Sequence, residues 1–174
     1  GSAKERFSQD ALRIIRALRF KSCLGFEIEK DTSLEIHKMR EKLLEVSNER
    51  ISDEFIKLLC GDFVAETLCE YRDVVGTLFP EMIPEFDFDQ KSNRHKYDVY
   101  LHTLHSVEKS EKDPIIRLTL FFHDIGKPSC FFVDEKGRGH SYGHGAKGAE
   151  IAKPILSRMK LSKDMQETVY LFIT

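Results

Sequence analysis

The stretch Arg6–Phe20, RFSQDALRIIRALRF, reads as one strongly marked helix. Ser8 is its expected N-cap, since a hydroxyl there can accept a free backbone N–H of the first turn. Phe7, Ala11, Ile14 and Leu18 recur at helical spacing as a buried stripe, which Leu12 and Ile15 widen. Gly25 follows as a stop. On the other face Arg6, Asp10 and Arg13 follow at spacings of four and three, so their side chains can converge. Asp10 offers only acceptors and Arg13 only donors. Cytosine and adenine present an exocyclic amino donor beside a ring-nitrogen acceptor, where uracil and guanine present a carbonyl. One carboxylate plus one guanidinium therefore favours C and A, a good bidentate contact being worth about 1–3 kcal/mol of discrimination. The same spacing also describes an ordinary surface ion pair.

The 174 residues suffice for one or two small domains with a real core. A hydrophobic content of 41% with 32% charged residues is that of a soluble globular chain. A net charge of −2 excludes a surface that is basic throughout. The charge is uneven, however: Lys4–Lys21 holds six basic residues against two acidic ones, a local excess able to face phosphates. Cys23, Cys60, Cys69 and Cys130 show no CxxC spacing and read as reduced core residues, which fits a cytoplasmic protein. No apolar run approaches the ~18–20 residues of a membrane span, and no signal peptide is visible. Gly1-Ser2-Ala3 looks like an expression scar.

The remaining elements read as helices, giving an all-α expectation. Thr32-x-x-Glu35 is a capping box that opens a helix to about Val46, with Leu34, Leu43 and Leu44 as apolar positions. Ser47 is set to cap a helix to about Cys60, with Ile51, Phe55, Leu58 and Leu59 inward. Asp62 to Val75 reads as a further helix ended by Gly76. Phe79 to Arg94 is a connector, because Pro80 and Pro84 break helices and Asp87, Asp89, Ser92 and Asn93 form turns. Beyond it lie a helix over Tyr97–Ser110 and a second, apolar helix over Ile115–Phe122, with Asp113 as N-cap and Pro114 at its first position. A loop or short hairpin around Lys136-Gly137, a helix over Ala146–Met159 and a last helix capped by Ser162 complete the chain.

RFSQDALRIIRALRF with the following LGFEIEKDT resembles the neck segment of the tRNA nucleotidyltransferase (CCA-adding enzyme) and bacterial poly(A) polymerase family, whose pattern is RFxEDxxRxxRAxRF before a GFxI stretch. The family's Glu-Asp-x-x-Arg motif falls on Gln9, Asp10 and Arg13, and the resemblance implies that Asp10 and Arg13 pair with the incoming CTP or ATP base. Gln9 keeps the size of the family's Glu but loses its charge. Arg6, Arg16 and Arg19 are then candidate RNA contacts. Ser47-Asn48-Glu49-Arg50-Ile51, with Glu54 beyond, resembles the family's SxERIxxE element, which implies bracing or surface pairs for Glu49, Arg50 and Glu54. The LFPE and Gln90 signatures of the connector likewise precede a second domain in the family.

Six of the seven histidines lie in the second half of the chain. His102 on a helix, His123-Asp124-x-Gly126-Lys127 at a helix end, and Tyr142-Gly143-His144 follow one another at intervals of about twenty residues. This resembles the HD phosphohydrolase superfamily, and more closely the HD module fused to the neck in the CCA-adding family. The resemblance implies His102, His123 and Asp124 as ligands of a divalent metal and His144 as a further histidine of variable role. Such a mixed imidazole and carboxylate set suits a transition metal or Mg²⁺ with open positions for water and phosphate. Lys127 is a candidate phosphate contact. His95 and His105 read as capping or stacking residues and His140 as a loop residue. A further ligand from a later helix would fall about where the chain stops.

These readings predict a neck over residues 4–78, a connector over 79–94 and an HD-type domain over 95–174. The resemblance implies part of an enzyme that adds C and A nucleotides to RNA 3′ ends. Its partners would be tRNA or another RNA, CTP and ATP, with no membrane. Its Mg²⁺-binding catalytic head would lie elsewhere, so this chain alone would add no nucleotides. Two alternatives stand beside it: a metal-dependent HD phosphohydrolase acting on 2′,3′-cyclic phosphates, phosphomonoesters or nucleotides, and an architectural RNA-binding module.

Overall fold

The computed structural model describes residues 1–91 and 97–174. Among them are eleven α-helices and one two-stranded hairpin, so the fold is all-α. The helices are α1 (Ala3–Gln9), α2 (Leu12–Leu24), α3 (Lys30–Met39), α4 (Asn48–Leu59), α5 (Val64–Glu70) and α6 (Arg72–Leu78), then α7 (Val99–Lys109), α8 (Pro114–Phe122), α9 (Lys127–Cys130), α10 (His144–Arg158) and α11 (Lys163–Ile173). Two 3₁₀ turns, Arg40–Glu45 and Pro80–Glu85, extend the chain between helices. Strands β1 (Phe132–Val133) and β2 (Gly139–His140) pair antiparallel, with Phe132 opposite His140.

The opening stretch is two helices, not one. Asp10 leaves helical geometry for extended backbone (φ −152°, ψ 100°) while its N–H still bonds the Arg6 carbonyl. Its carboxylate then accepts the Leu12 N–H at 3.2 Å and starts α2. A short acidic side chain offers the backbone an alternative to the helical ladder, and here the alternative wins. Ser8 therefore lies inside α1, and the N-cap is Ser2, which with Glu5 forms a reciprocal capping box. The apolar stripe survives the break: Phe7, Ala11, Leu12, Ile14, Ile15 and Leu18 are all buried. Gly25 ends α2 in the left-handed conformation (φ 70°), with its N–H on the Lys21 carbonyl.

Other expected boundaries move for similar reasons. Glu29, not Thr32, caps α3; its carboxylate accepts the N–H groups of Asp31 and Thr32 at 3.0 and 2.9 Å. The α3 pattern then tightens into a 3₁₀ turn that buries Leu43 and leaves Leu34 and Leu44 exposed. Ser47 occupies the N-cap of α4 without a side-chain hydrogen bond. The expected helix over Asp62–Val75 divides at Tyr71, and Gly76 lies within α6. Tyr71 is fully buried, stacks on His37 at 4.9 Å and donates its hydroxyl to Ser33 at 2.7 Å, so tertiary contacts decide that break. The cysteines are free thiols but not core residues: Cys23 and Cys69 are exposed, Cys60 and Cys130 half-buried. Asp98, Asp113 and Ser162 cap α7, α8 and α11 with their side chains.

One contiguous apolar cluster runs from Phe7 on α1 to Ile173 on α11. Its centre is an aromatic knot in which Phe55 of α4 meets Phe79 at 4.8 Å and Phe121 of α8 at 5.2 Å. Beside it Arg117 of α8 is 1% exposed. Its guanidinium donates to the carbonyls of Leu59, Gly61, Glu108, Ser110 and Glu111 at 2.7–3.2 Å. These are the carbonyl-rich C-terminal ends of α4 and α7, where a cation is favoured. A single side chain thereby ties the first half of the chain to the second.

Candidate functional site

Two separate groups of candidate residues emerge. The first lies at the α1–α2 break. Gln9, Arg6 and Arg13 line an open recess of about 440 Å³ together with Glu5. Asp10 borders this region with a third of its side chain in solvent, and its carboxylate meets the Arg50 guanidinium of α4 at 3.4 Å. Arg13 is exposed and donates to the Arg6 carbonyl at 3.4 Å. The helix break thus takes Asp10 out of the expected stack on Arg6 and gives it to Arg50. Arg19 ion-pairs with Glu54 at 3.1 Å and lies over the Phe20 ring. Glu54 is accordingly a partner of the basic stripe and Arg50 a partner of Asp10, while Glu49 and Arg16 are exposed.

The second group lies where α7, α8, α9 and α10 meet. His102 comes from α7, His123 from the C-cap of α8, Asp124 from the turn into α9, Lys127 from the first residue of α9 and His144 from the first residue of α10. Ligating atoms of His102, His123 and Asp124 all lie within 4.8 Å of one another. Asp124 Oδ2 is 2.8 Å from Lys127 Nζ, 3.1 Å from His123 Nε2 and 3.8 Å from His102 Nε2. Asp124 Oδ1 is 3.6 Å from His144 Nε2. Lys127 Nζ also donates to Gln90 Oε1 at 3.1 Å. Gly126 makes the assembly possible: a Cβ there would overlap the His144 carbonyl and the Gly148 amide, so only glycine lets α9 start against α10.

The hydrogen bonds define the imidazoles. His123 Nδ1 lies 2.6 Å from the Leu120 carbonyl and His144 Nδ1 lies 2.8 Å from the Ser141 carbonyl. A carbonyl only accepts, so both Nδ1 atoms carry the proton and both Nε2 atoms turn toward Asp124. Imidazole nitrogens fixed in this way by a carbonyl on the other ring nitrogen are oriented as metal ligands are. The donor set of two imidazoles and one carboxylate fits a divalent transition metal. Burial acts to raise the Asp124 carboxyl, but the hydrogen bond and charge of His123, joined by Lys127, outweigh it and hold the group well below the usual carboxylate range. Beneath the cluster Glu85 is fully buried, and burial followed by the nearby Asp124 charge pushes its carboxyl well up.

The region around α3–α6 matches a family model described as "Probable RNA and SrmB- binding site of polymerase A", over residues 25–88. A CCA-adding enzyme of Leuconostoc mesenteroides is 37% identical over 102 residues, covering 53% of this chain and 25% of that protein. One from Geobacillus kaustophilus is 48% identical over 68 residues, covering 39% of this chain and 17% of that protein. An A-adding tRNA nucleotidyltransferase of Deinococcus radiodurans is 29% identical over 172 residues, covering 91% of this chain and 39% of that protein. These matches support a tRNA nucleotidyltransferase-family chain. It spans well under half the length of each of these relatives. The matched residues include neither Asp10 and Arg13 nor the histidine cluster.

His105 stacks on Tyr97 at 4.7 Å, and His140 bonds Asp134 at 2.9 Å. His95, Ser92 and Asn93, together with the expected boundary at 94/95, lie outside the described residues. Arg117 and Glu85 escape sequence reasoning. The only signal for either is a charge set in an apolar run, PIIRLTLFF for Arg117 and MIPEF for Glu85.

Proposed function

We propose that this chain is the base-reading neck and HD-type portion, roughly 4–78 and 95–174, of an enzyme that adds C and A nucleotides to RNA 3′ ends. Asp10 and Arg13 would meet the Watson–Crick edge of CTP or ATP, with Gln9 shaping the same recess. Arg6 and Arg16 would face RNA phosphates; Arg19 is instead engaged by Glu54 and contributes through the phosphates only if that pair opens. The Mg²⁺ centre for nucleotide transfer would belong to another part of the protein, so this chain alone adds none. The observation that carries the reading is the helix break at Asp10, which leaves an acceptor and a donor three residues apart on an open, basic surface. The relatives' names agree with it.

The test is salt-dependent tRNA binding followed by nucleotide response. Purified chain should bind tRNA with an affinity that falls steeply as salt rises. Asp10→Ala should leave that binding intact and abolish any preference for CTP and ATP over UTP and GTP. Incorporation of CTP into tRNA by this chain alone would contradict the assignment of transfer chemistry to another part.

A second reading is favoured by the cluster of His102, His123 and Asp124. A metal held there would acidify a water for attack on a phosphate ester. Lys127 would balance phosphate charge, and His144 would orient a ligand from the far side of Asp124. Metal analysis of the purified protein with a phosphodiesterase screen, using His123→Ala as control, decides it: no metal and no activity removes it.

A further inference from the structure

Cys23 and Cys60 are distant in the chain but lie at neighbouring helix ends, Cys23 in the last turn of α2 and Cys60 at the C-cap of α4. The two ends are stitched together residue by residue. Ser22 donates its hydroxyl to the Leu58 carbonyl at 2.7 Å, and its own carbonyl accepts the Phe63 N–H at 2.9 Å. Gly61 presses so closely on Ser22 that a Cβ there would overlap the Ser22 hydroxyl and carbonyl. Ser22 and Gly61, the immediate neighbours of the two cysteines, are therefore in contact. The Cys23 thiol donates to the Lys57 carbonyl at 3.5 Å. Cys60 follows Lys57 by three residues, so it stands one helical turn further along the same face. A short side chain at that position reaches the carbonyl three or four residues back. Both sulfurs thus belong to the surroundings of one stretch of α4.

The two thiols are placed differently. Cys23 is exposed and Cys60 half-buried. Arg117 clamps the backbone on both sides of Cys60, donating to the Leu59 and Gly61 carbonyls at 2.7 and 2.8 Å. Burial pushes the Cys60 thiol up; the Arg117 charge opposes this, and Asp113 and Cys23 add to the rise. One sulfur open to solvent, beside a second that is sheltered on a fixed backbone, is the division between an attacking and a resolving thiol.

We infer that Cys23 and Cys60 are a redox pair that closes to a disulfide when a hydroperoxide reaches the exposed thiol. The Cys23 thiolate attacks one oxygen of hydrogen peroxide, the O–O bond breaks, and the other oxygen leaves as hydroxide and takes up a proton. The Cys60 sulfur then attacks the sulfenic sulfur, forming the S–S bond and displacing a second water. Two thiols lose two electrons and two protons, and one peroxide becomes two waters. The bond closes a loop that holds α3 and α4 and ties the end of α2 to the end of α4. Those helices carry Arg13 and Arg50, so the closed pair also fixes the frame of the recess beside Asp10. The inference does not depend on the functional reading given above.

The test treats the whole chain with hydrogen peroxide, alkylates the remaining thiols and digests the protein without reductant for mass spectrometry. Expected is a linked pair of peptides holding Cys23 and Cys60, separated by dithiothreitol, with Cys69 and Cys130 alkylated. Oxidation should raise the thermal midpoint by about 5–10 °C, the scale of one disulfide across a long loop. Cys23→Ser, a change at an exposed position, should abolish the link and the rise together while leaving the reduced midpoint nearly unchanged. In Cys60→Ala the Cys23 sulfur should stop at the sulfenic acid, where dimedone traps it. Peroxide treatment that leaves Cys23 and Cys60 both open to alkylation, or that joins Cys23 to another thiol, overturns the pair. A rise in midpoint that persists in Cys23→Ser overturns it as well.

Discussion

Asp10 keeps a third of its side chain in water and meets one guanidinium at 3.4 Å, whereas Asp124 is 2% exposed and meets Lys127 at 2.8 Å and His123 at 3.1 Å. Both carboxylates sit where a helix ends. The first can exchange Arg50 for another partner at little cost, because an exposed ion pair contributes only ~0–1 kcal/mol. The second has lost its hydration and depends on every neighbouring cation. An adaptable surface suits a ligand that arrives with its own complement of charge, such as a base presented by another lobe. A desolvated cluster suits a ligand set that must stand ready before anything binds.

The comparison is broken most severely at the buried end. Arg117→Ala removes all five donors and strands the carbonyls of α4 and α7; it is expected to cost about 3–5 kcal/mol, read as a drop in the urea midpoint. Arg117→Lys should recover only a small part, since one ammonium cannot span both helix ends. Next comes the metal. Asp124→Asn should lower affinity for a divalent transition metal by at least ~tenfold in calorimetry while the far-UV dichroism stays helical. Comparable metal binding by the variant would show that the cluster is only a hydrogen-bonded helix junction.

A smaller effect sharpens the contrast between the extremes. Glu81 joins the Pro80–Glu85 turn to Arg158 of α10 through contacts of 2.9 and 3.0 Å. Burial acts to raise its carboxyl, and the Arg158 hydrogen bonds outweigh it, so the folded value lies below the ordinary 4.5. A depressed value means that its stabilisation is present above the unfolded value and fades as pH falls through the folded one. Glu81→Gln should therefore destabilise by roughly 0.5–1 kcal/mol at neutral pH and make little difference in strong acid. Smallest of all, Arg50→Ala should change stability by under ~0.5 kcal/mol, as expected for an exposed pair.

Much of this fold can be read from the chain. The stripe from Phe7 to Leu18, the Asp113-Pro114 start of α8 and the Ser162 cap are local signals, and local physics decides them. The breaks at Asp10 and Tyr71 are different. At Asp10 a residue that could have continued the helix leaves it and accepts the Leu12 N–H on its carboxylate instead, and at Tyr71 the deciding contacts come from His37 and Ser33, 34 to 38 positions earlier. The histidine cluster is legible in its residues but not in its tautomers, which depend on carbonyls of Leu120 and Ser141. Arg117 is invisible for a related reason: an arginine in an apolar helix gives no hint that five carbonyls from other segments surround it.

The claim that Asp10 and Arg13 form a template for C and A has a direct test. Isotope-labelled chain is titrated with CTP, ATP, UTP and GTP in turn, and amide and side-chain signals of residues 9–13 are followed by NMR. The account predicts shifts at Gln9, Asp10 and Arg13 with CTP and ATP, several-fold larger than with UTP or GTP and lost in Asp10→Ala. An equal response to all four nucleotides, a response confined to other residues, or none at all would contradict it.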